Sequence, residues 1–278
     1  MIDESTVFNT GETQKELREK YNPEGSKLRK LQMRMLDMLL YIDKVCKEQN
    51  IEWRLDGGNI LGAVRHGGFI PWDDDIDIVL LPEEFKKLVY YLKTHDHPQF
   101  KLQDNETDPG FYAPNWAVLR DTKSEYKQTG YLHNARKFRG AQIDIFCYDN
   151  HQSRFLYKII SRLSFFNIQK CIGRHPKMAQ LIYELETKFV IPLVKILGYP
   201  FSSANVYGHA YGHLAGNFHM KWITKEMFYP HKPILFEGHY FPGPGNVDAF
   251  LSFKYGDYMK LPPVEKRDQH QADYDIWD

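Results

Sequence analysis

The chain has 278 residues, 42% hydrophobic and 26% charged, which suits one large globular domain or a core with an added lobe. Thirty-six Lys and Arg balance thirty-six Asp and Glu, so the basic excess of a nucleic-acid binder is missing. The polar, acidic start reads as neither a signal nor a transit peptide, and no apolar run approaches the ~20 residues of a membrane span.

Residues 1 to about 25 read as a loose arm ending near Asn22-Pro23-Glu24-Gly25. Leu28, Leu31, Met35, Met38, Leu39, Ile42 and Val45 then recur at three- and four-residue steps, which predicts an amphipathic helix stopped at Asn50. A short strand follows at 51–55, a Gly57-Gly58 turn, a helix over 59–66, a strand over 76–81, and a helix from Pro82 to about Thr94. Pro82 and Glu83 suit the first turn of that last helix. Strands are expected at 101–103, 115–120, 125–131 and 141–146. Residues 153–217 read as mostly helical, and the Pro-, Gly- and aromatic-rich tail as short strands and loops with one helix near 247–255. The organisation is an arm (1–25), an α/β core (26–150), a helical lobe (151–222) and a segment returning to the core (223–278). The lobe mixes Lys and Arg with bulky apolar residues, which fits a layer covering the core in preference to one lying on a membrane.

Chemistry concentrates in Pro71-Trp-Asp-Asp-Asp-Ile-Asp-Ile-Val-Leu80. Four carboxylates fall within five residues and run straight into an apolar, β-prone stretch, unlike an acidic patch kept for solubility. Residues two apart on a strand share a face, so Asp75 and Asp77 point the same way. Carboxylates sharing a face repel, and a hard divalent cation such as Mg²⁺ or Mn²⁺ relieves that repulsion. The spacing lacks the Gly and distal Glu of an EF-hand. Asp144, alone in the apolar stretch Ala141–Phe146, is either a capping residue or a third carboxylate from a neighbouring strand. Gly57-Gly58, between a strand and a helix, is either a tight turn or a place where backbone N–H groups meet phosphate. The three Cys match no zinc spacing and read as reduced thiols of a cytoplasmic protein. His209, His213 and His219 have no acidic neighbours and are assigned no metal.

The run from Leu55 to Asp77, LDGGNILGAVRHGGFIPWDDDID, closely resembles the signature of the LicD family, which includes bacterial phosphocholine transferases and is related to the fukutin-related ribitol-phosphate transferases. Gly140–Phe146 resembles that family's second acidic strand, and Tyr255–Pro263 with Glu265-Lys266-Arg267 its C-terminal motif. The resemblance implies a nucleotidyltransferase-like mixed sheet flanked by helices. It implies metal ligands at Asp75, Asp77 and Asp144, which are also the catalytic carboxylates. It implies transfer of phosphocholine, or another phospho-alcohol, from a CDP-alcohol (CDP-choline first) to a hydroxyl of a cell-surface glycan precursor. Gly57, Gly58 and Asn59 are then expected to hold donor phosphates, although the family often has Ser or Thr where Asn59 stands. Arg65, Arg120, Lys266 and Arg267 are candidate phosphate neutralisers, each with an equally plain surface-charge role. Trp72, Trp116 and Tyr112 can stack on a base or sugar, or pack in the core. Two rivals remain: transfer of the nucleoside monophosphate itself, and a non-catalytic glycan- or nucleotide-binding relative. Contact with a membrane is expected to be peripheral at most, at the inner face if the acceptor is lipid-linked.

Overall fold

A computed structural model describes residues 3–127, 136–171, 175–211, 221–267 and 274–277, with the backbone alone for 164–171. Helix α1 (Gln14–Tyr21) lies in the segment expected to be loose. A capping box closes its start: the Glu16 amide donates to the Thr13 hydroxyl, and the Glu16 carboxylate accepts from the Thr13 amide. Its Leu17 and the preceding Phe8 are buried against Leu261 and Trp72. Helix α2 (Lys27–Gln49) has the expected apolar stripe in the core, is capped by Ser26, and ends on Asn50 in the left-handed region at φ 52°. Helix α3 is Gly57–His66 and α4 is Pro82–Thr94.

One mixed sheet carries the core. Its strands are β1 (Arg54–Leu55), β2 (Asp77–Leu80), β3 (Phe100–Gln103), β4 (Trp116–Asp121) and β6 (Gln142–Asp149), in the order β1-β2-β6-β4-β3. β2 and β6 run parallel; β1 on β2 and β4 on β6 are antiparallel. The end of β6 also pairs β7 (Val206–His209), which pairs β8 (Ile223–Thr224). Helices flank the sheet, as expected for the fold class. β7 replaces part of the helical stretch foreseen over 153–217. β5 (Ser124–Tyr126) pairs β11 (Tyr274–Ile276) apart from the main sheet, and the expected continuation to residue 131 lies outside the described residues, as do His213 and His219.

The returning segment forms a hairpin, β9 (Lys232–Phe236) and β10 (His239–Gly243), turned at Glu237-Gly238 with both residues at positive φ. The helix Val247–Tyr255 follows where expected. Arg267, buried, ties this end to the start of the chain: it donates to the Glu12 carboxylate at 2.7 Å, and its guanidinium stands 5.3 Å from the Trp72 ring centre.

Candidate active site

Two backbone facts assemble the carboxylates. In the parallel pair of β2 and β6, Asp77 is the register partner of Asp144, so both sit on one sheet face. The Asp56 amide, at the N-cap of α3, donates to the Asp77 carbonyl at 3.0 Å, which sets the helix start against the same strand. Asn59 then clamps the acidic stretch. Its amide nitrogen donates to the Asp75 carbonyl at 3.1 Å, and its oxygen accepts the Asp77 backbone N–H at 2.6 Å. Buried and bonded at both ends to backbone, Asn59 is committed to shaping the Asp75–Asp77 turn.

The glycines make room for charge. A β-carbon on Gly57 would lie 2.9 Å from Asp77 Oδ2, and one on Gly58 3.0 Å from Asp73 Oδ2. Gly57 also has φ +55°. The start of α3 therefore presses bare backbone against two carboxylates, at the positive end of the helix dipole.

Burial raises the Asp77 pKa well above the ordinary carboxylate value, and the charges of Asp75, Asp144, Asp56 and Asp73 push it further. Burial also raises Asp144, against the opposing pull of Arg120, Arg136 and two hydrogen bonds. Trp116 Nε1 donates to its Oδ1 and Gln142 Nε2 to its Oδ2, both at 2.9 Å. Of the remaining acids, Asp73 and Asp75 are half-buried beside Asp77. Asp74 is buried, with the Tyr126 hydroxyl donating to its carbonyl at 2.8 Å.

Asp56, unremarked in the sequence, is a further buried acid and differs from the rest. Burial would raise its pKa, but Lys254, Arg54 and the Tyr148 hydroxyl outweigh that and hold it below the ordinary value. Lys254 donates to its Oδ2 at 3.0 Å and Tyr148 at 2.7 Å. These partners come from strand β6 and the Val247–Tyr255 helix, too far along the chain to be paired by inspection. Tyr255, 44% exposed as a residue, has its pKa raised by burial and by Asp56, Asp77, Asp73 and Asp75.

The expected phosphate neutralisers are dispersed. Arg65 is buried, donates to the carbonyls of Tyr258 and Lys260 at 3.0 and 3.1 Å, and is lowered to about 10 by burial. Arg120, also lowered to about 10 by burial, donates to Gln103 and the Gly140 carbonyl near Asp144. Lys266 is exposed, and Arg267 holds the chain ends together as described. Arg136, not singled out from sequence, is half-buried in the field of Asp144. Of the aromatic candidates, Trp116 reaches the site. Trp72 packs edge-on to Tyr21, and buried Tyr112 meets Tyr183. As placed, no three of the described His, Cys, Asp and Glu side chains converge closely enough to hold a metal ion. The set does offer hard oxygen donors that repel one another, the chemistry a divalent cation suits.

Carboxylates from two strands lie on one sheet face against a glycine-led helix start, an arrangement suited to handling phosphate-containing groups. A family model described as "LicD/FKTN/FKRP, nucleotidyltransferase domain" matches residues 50–196, more than half of the chain, and the chain belongs to that family. It is 28% identical over 261 residues to the lipopolysaccharide cholinephosphotransferase LicD of Haemophilus influenzae, covering 87% of this chain and 95% of that protein. It is 41% identical over 110 residues to the human ribitol 5-phosphate transferase FKRP, covering 32% of this chain and 22% of that one. A shorter match, 38% over 65 residues, joins it to the uncharacterised protein RP689 of Rickettsia prowazekii. The family expected from the Leu55–Asp77 run is the family found, and the chain is a phosphotransferase of the LicD type.

Proposed function

We propose that this enzyme moves phosphocholine, or another phospho-alcohol, from a CDP-alcohol to a hydroxyl of a cell-surface glycan precursor, with Mg²⁺ or Mn²⁺. The observation that carries the proposal is the register of Asp77 with Asp144, which sets two strand carboxylates side by side next to Asp75. The near full-length likeness to a lipopolysaccharide cholinephosphotransferase supports the donor and acceptor classes. Asp75, Asp77 and Asp144 would hold the cation. When bound, it neutralises charge on the phosphoryl oxygens and on departing CMP.

The chain's own groups do the rest. Asp144, oriented by Trp116 and Gln142, takes the proton of the acceptor hydroxyl. Backbone N–H groups at the start of α3 meet the donor phosphates. Asp56, fixed by Lys254 and Tyr148, keeps that helix start in place. Cys46 and Cys147, both buried free thiols, support a reducing compartment, the cytoplasm.

The test is CMP release by purified Asp75→Ala and Asp77→Ala proteins with CDP-choline, Mg²⁺ and a glycan acceptor. Loss of a metal-held carboxylate costs on the order of 100-fold or more in rate. Undiminished release by both variants rules the assignment out. The family description favours one second reading, transfer of the nucleoside monophosphate itself. Mass spectrometry of the acceptor product separates the two, since only one leaves the nucleotide attached.

A further inference from the structure

The described residues of the lobe between Arg154 and Phe201 turn only one side to the protein. On the Arg154–Cys171 helix, Tyr157 and Ser161 are buried, whereas Phe155, Ile159 and Leu163, one turn apart, are exposed, Phe155 by 72%. From Pro176 to Gly198 the chain runs as helix, π-turn and helix, burying Ala179, Ile191 and Val194. Its other side exposes Met178, Leu181, Leu185, Phe189, Leu193 and Ile196 in steps of three and four residues. Ile196 is 71% exposed, and Phe201 just beyond is 76%. Large apolar side chains in continuous rows at this exposure mark a docking surface.

Charge identifies the partner. Positions 154–201 carry eight Lys or Arg and two Glu, a net charge of +6 in a chain whose total is zero. Arg154, Lys158 and Arg162 each immediately precede one of the exposed apolar residues, so a basic stripe runs beside the apolar one. Part of it is engaged within the protein: Lys188 meets Glu184 and Lys195 meets Asp149, each at 2.9 Å, and the Arg154 guanidinium stands 5.7 Å from the Trp222 ring centre. Among the described residues no helix is long and apolar enough to cross a membrane, so the stripe can lie on a bilayer but not span one.

We propose that this lobe docks on an anionic lipid surface, its apolar rows sunk to the acyl boundary and its Lys and Arg on the headgroup phosphates. A second copy of the chain is the poorer occupant, because two faces of +6 repel. The proposal stands on exposure and charge and does not depend on which donor or acceptor the active site takes.

Flotation of the full chain with vesicles tests it. Vesicles of equimolar phosphatidylcholine and phosphatidylglycerol should carry the protein, vesicles of phosphatidylcholine alone on the order of tenfold less, and raised salt should release it. Two variants at exposed positions, checked for fold by circular dichroism, should stay unbound: Leu181→Glu/Phe189→Glu/Ile196→Glu and Lys158→Glu/Arg162→Glu. The proposal is overturned if the wild type floats with neither vesicle, or if the triple variant floats as well as the wild type. It is equally overturned if light scattering finds a dimer that the triple variant dissociates.

Discussion

Asn59 holds the Asp75 carbonyl and the Asp77 amide at once, so its removal acts on the carboxylates rather than on the substrate. Asn59→Ala should cost about 1–3 kcal/mol of stability by leaving both backbone groups short of a partner. It should lower kcat more than it raises the KM for the donor; a residue that simply bound phosphate would show the opposite split in steady-state kinetics. His66 gives a pH prediction. Its Nε2 accepts from Arg65 Nε at 2.9 Å, and Nδ1 meets Gln14 Oε1 at 2.7 Å, so protonating Nε2 would set two donors head to head. Burial, then the charges of Arg65, Arg18 and Arg267, lower its pKa to about 2 from 6.5. Below pH 6.5 the unfolded chain takes up this proton and the folded chain does not. Stability is therefore full above that pH and should fall progressively as the pH drops towards 2. Melting curves should show His66→Gln losing stability less steeply through this window than the wild type.

At the scale of the element, the start of α3 is shaped by what it lacks. Gly57→Ala adds a β-carbon 2.9 Å from Asp77 Oδ2 at a left-handed φ, and Gly58→Ala one 3.0 Å from Asp73 Oδ2. Each should fold, with Gly57→Ala about 1 kcal/mol less stable than wild type. Each should lose turnover by displacing a carboxylate, and assays of melting temperature and CMP release on one preparation separate the two effects. This helix, α2 and α4 were legible because each shows a local signal: a glycine pair, a six-turn apolar stripe, a Pro-Glu first turn. Helix α1 was legible in principle, since Thr13 and Glu16 stand at capping-box spacing. Its eight residues hold only Leu17 and Tyr21 as apolar members, too few to show a period. β7 was lost inside a helical stretch because it pairs with the end of β6, and pairing across fifty or more residues leaves no local mark.

For the whole molecule, the limit of the sequence is distance along the chain. The acidic run announced Asp75 and Asp77, and the lone charge in an apolar strand pointed to Asp144. Nothing near Asp56 pointed to Lys254, 198 positions on, or to Tyr148. The basic candidates show the converse: Arg65 and Arg267 looked like surface or phosphate charges, yet both are buried and bonded to distant segments. The register of β2 with β6 carries a last consequence. Asp77 and Asp144 lie sixty-seven residues apart and become neighbours only in the sheet, so the unfolded chain has no such pair to offer. Whatever bridges them binds the native state alone, and by mass action its concentration helps decide how much of the chain is native. A ligand that bridged the pair would therefore steady the fold as well as serve the chemistry.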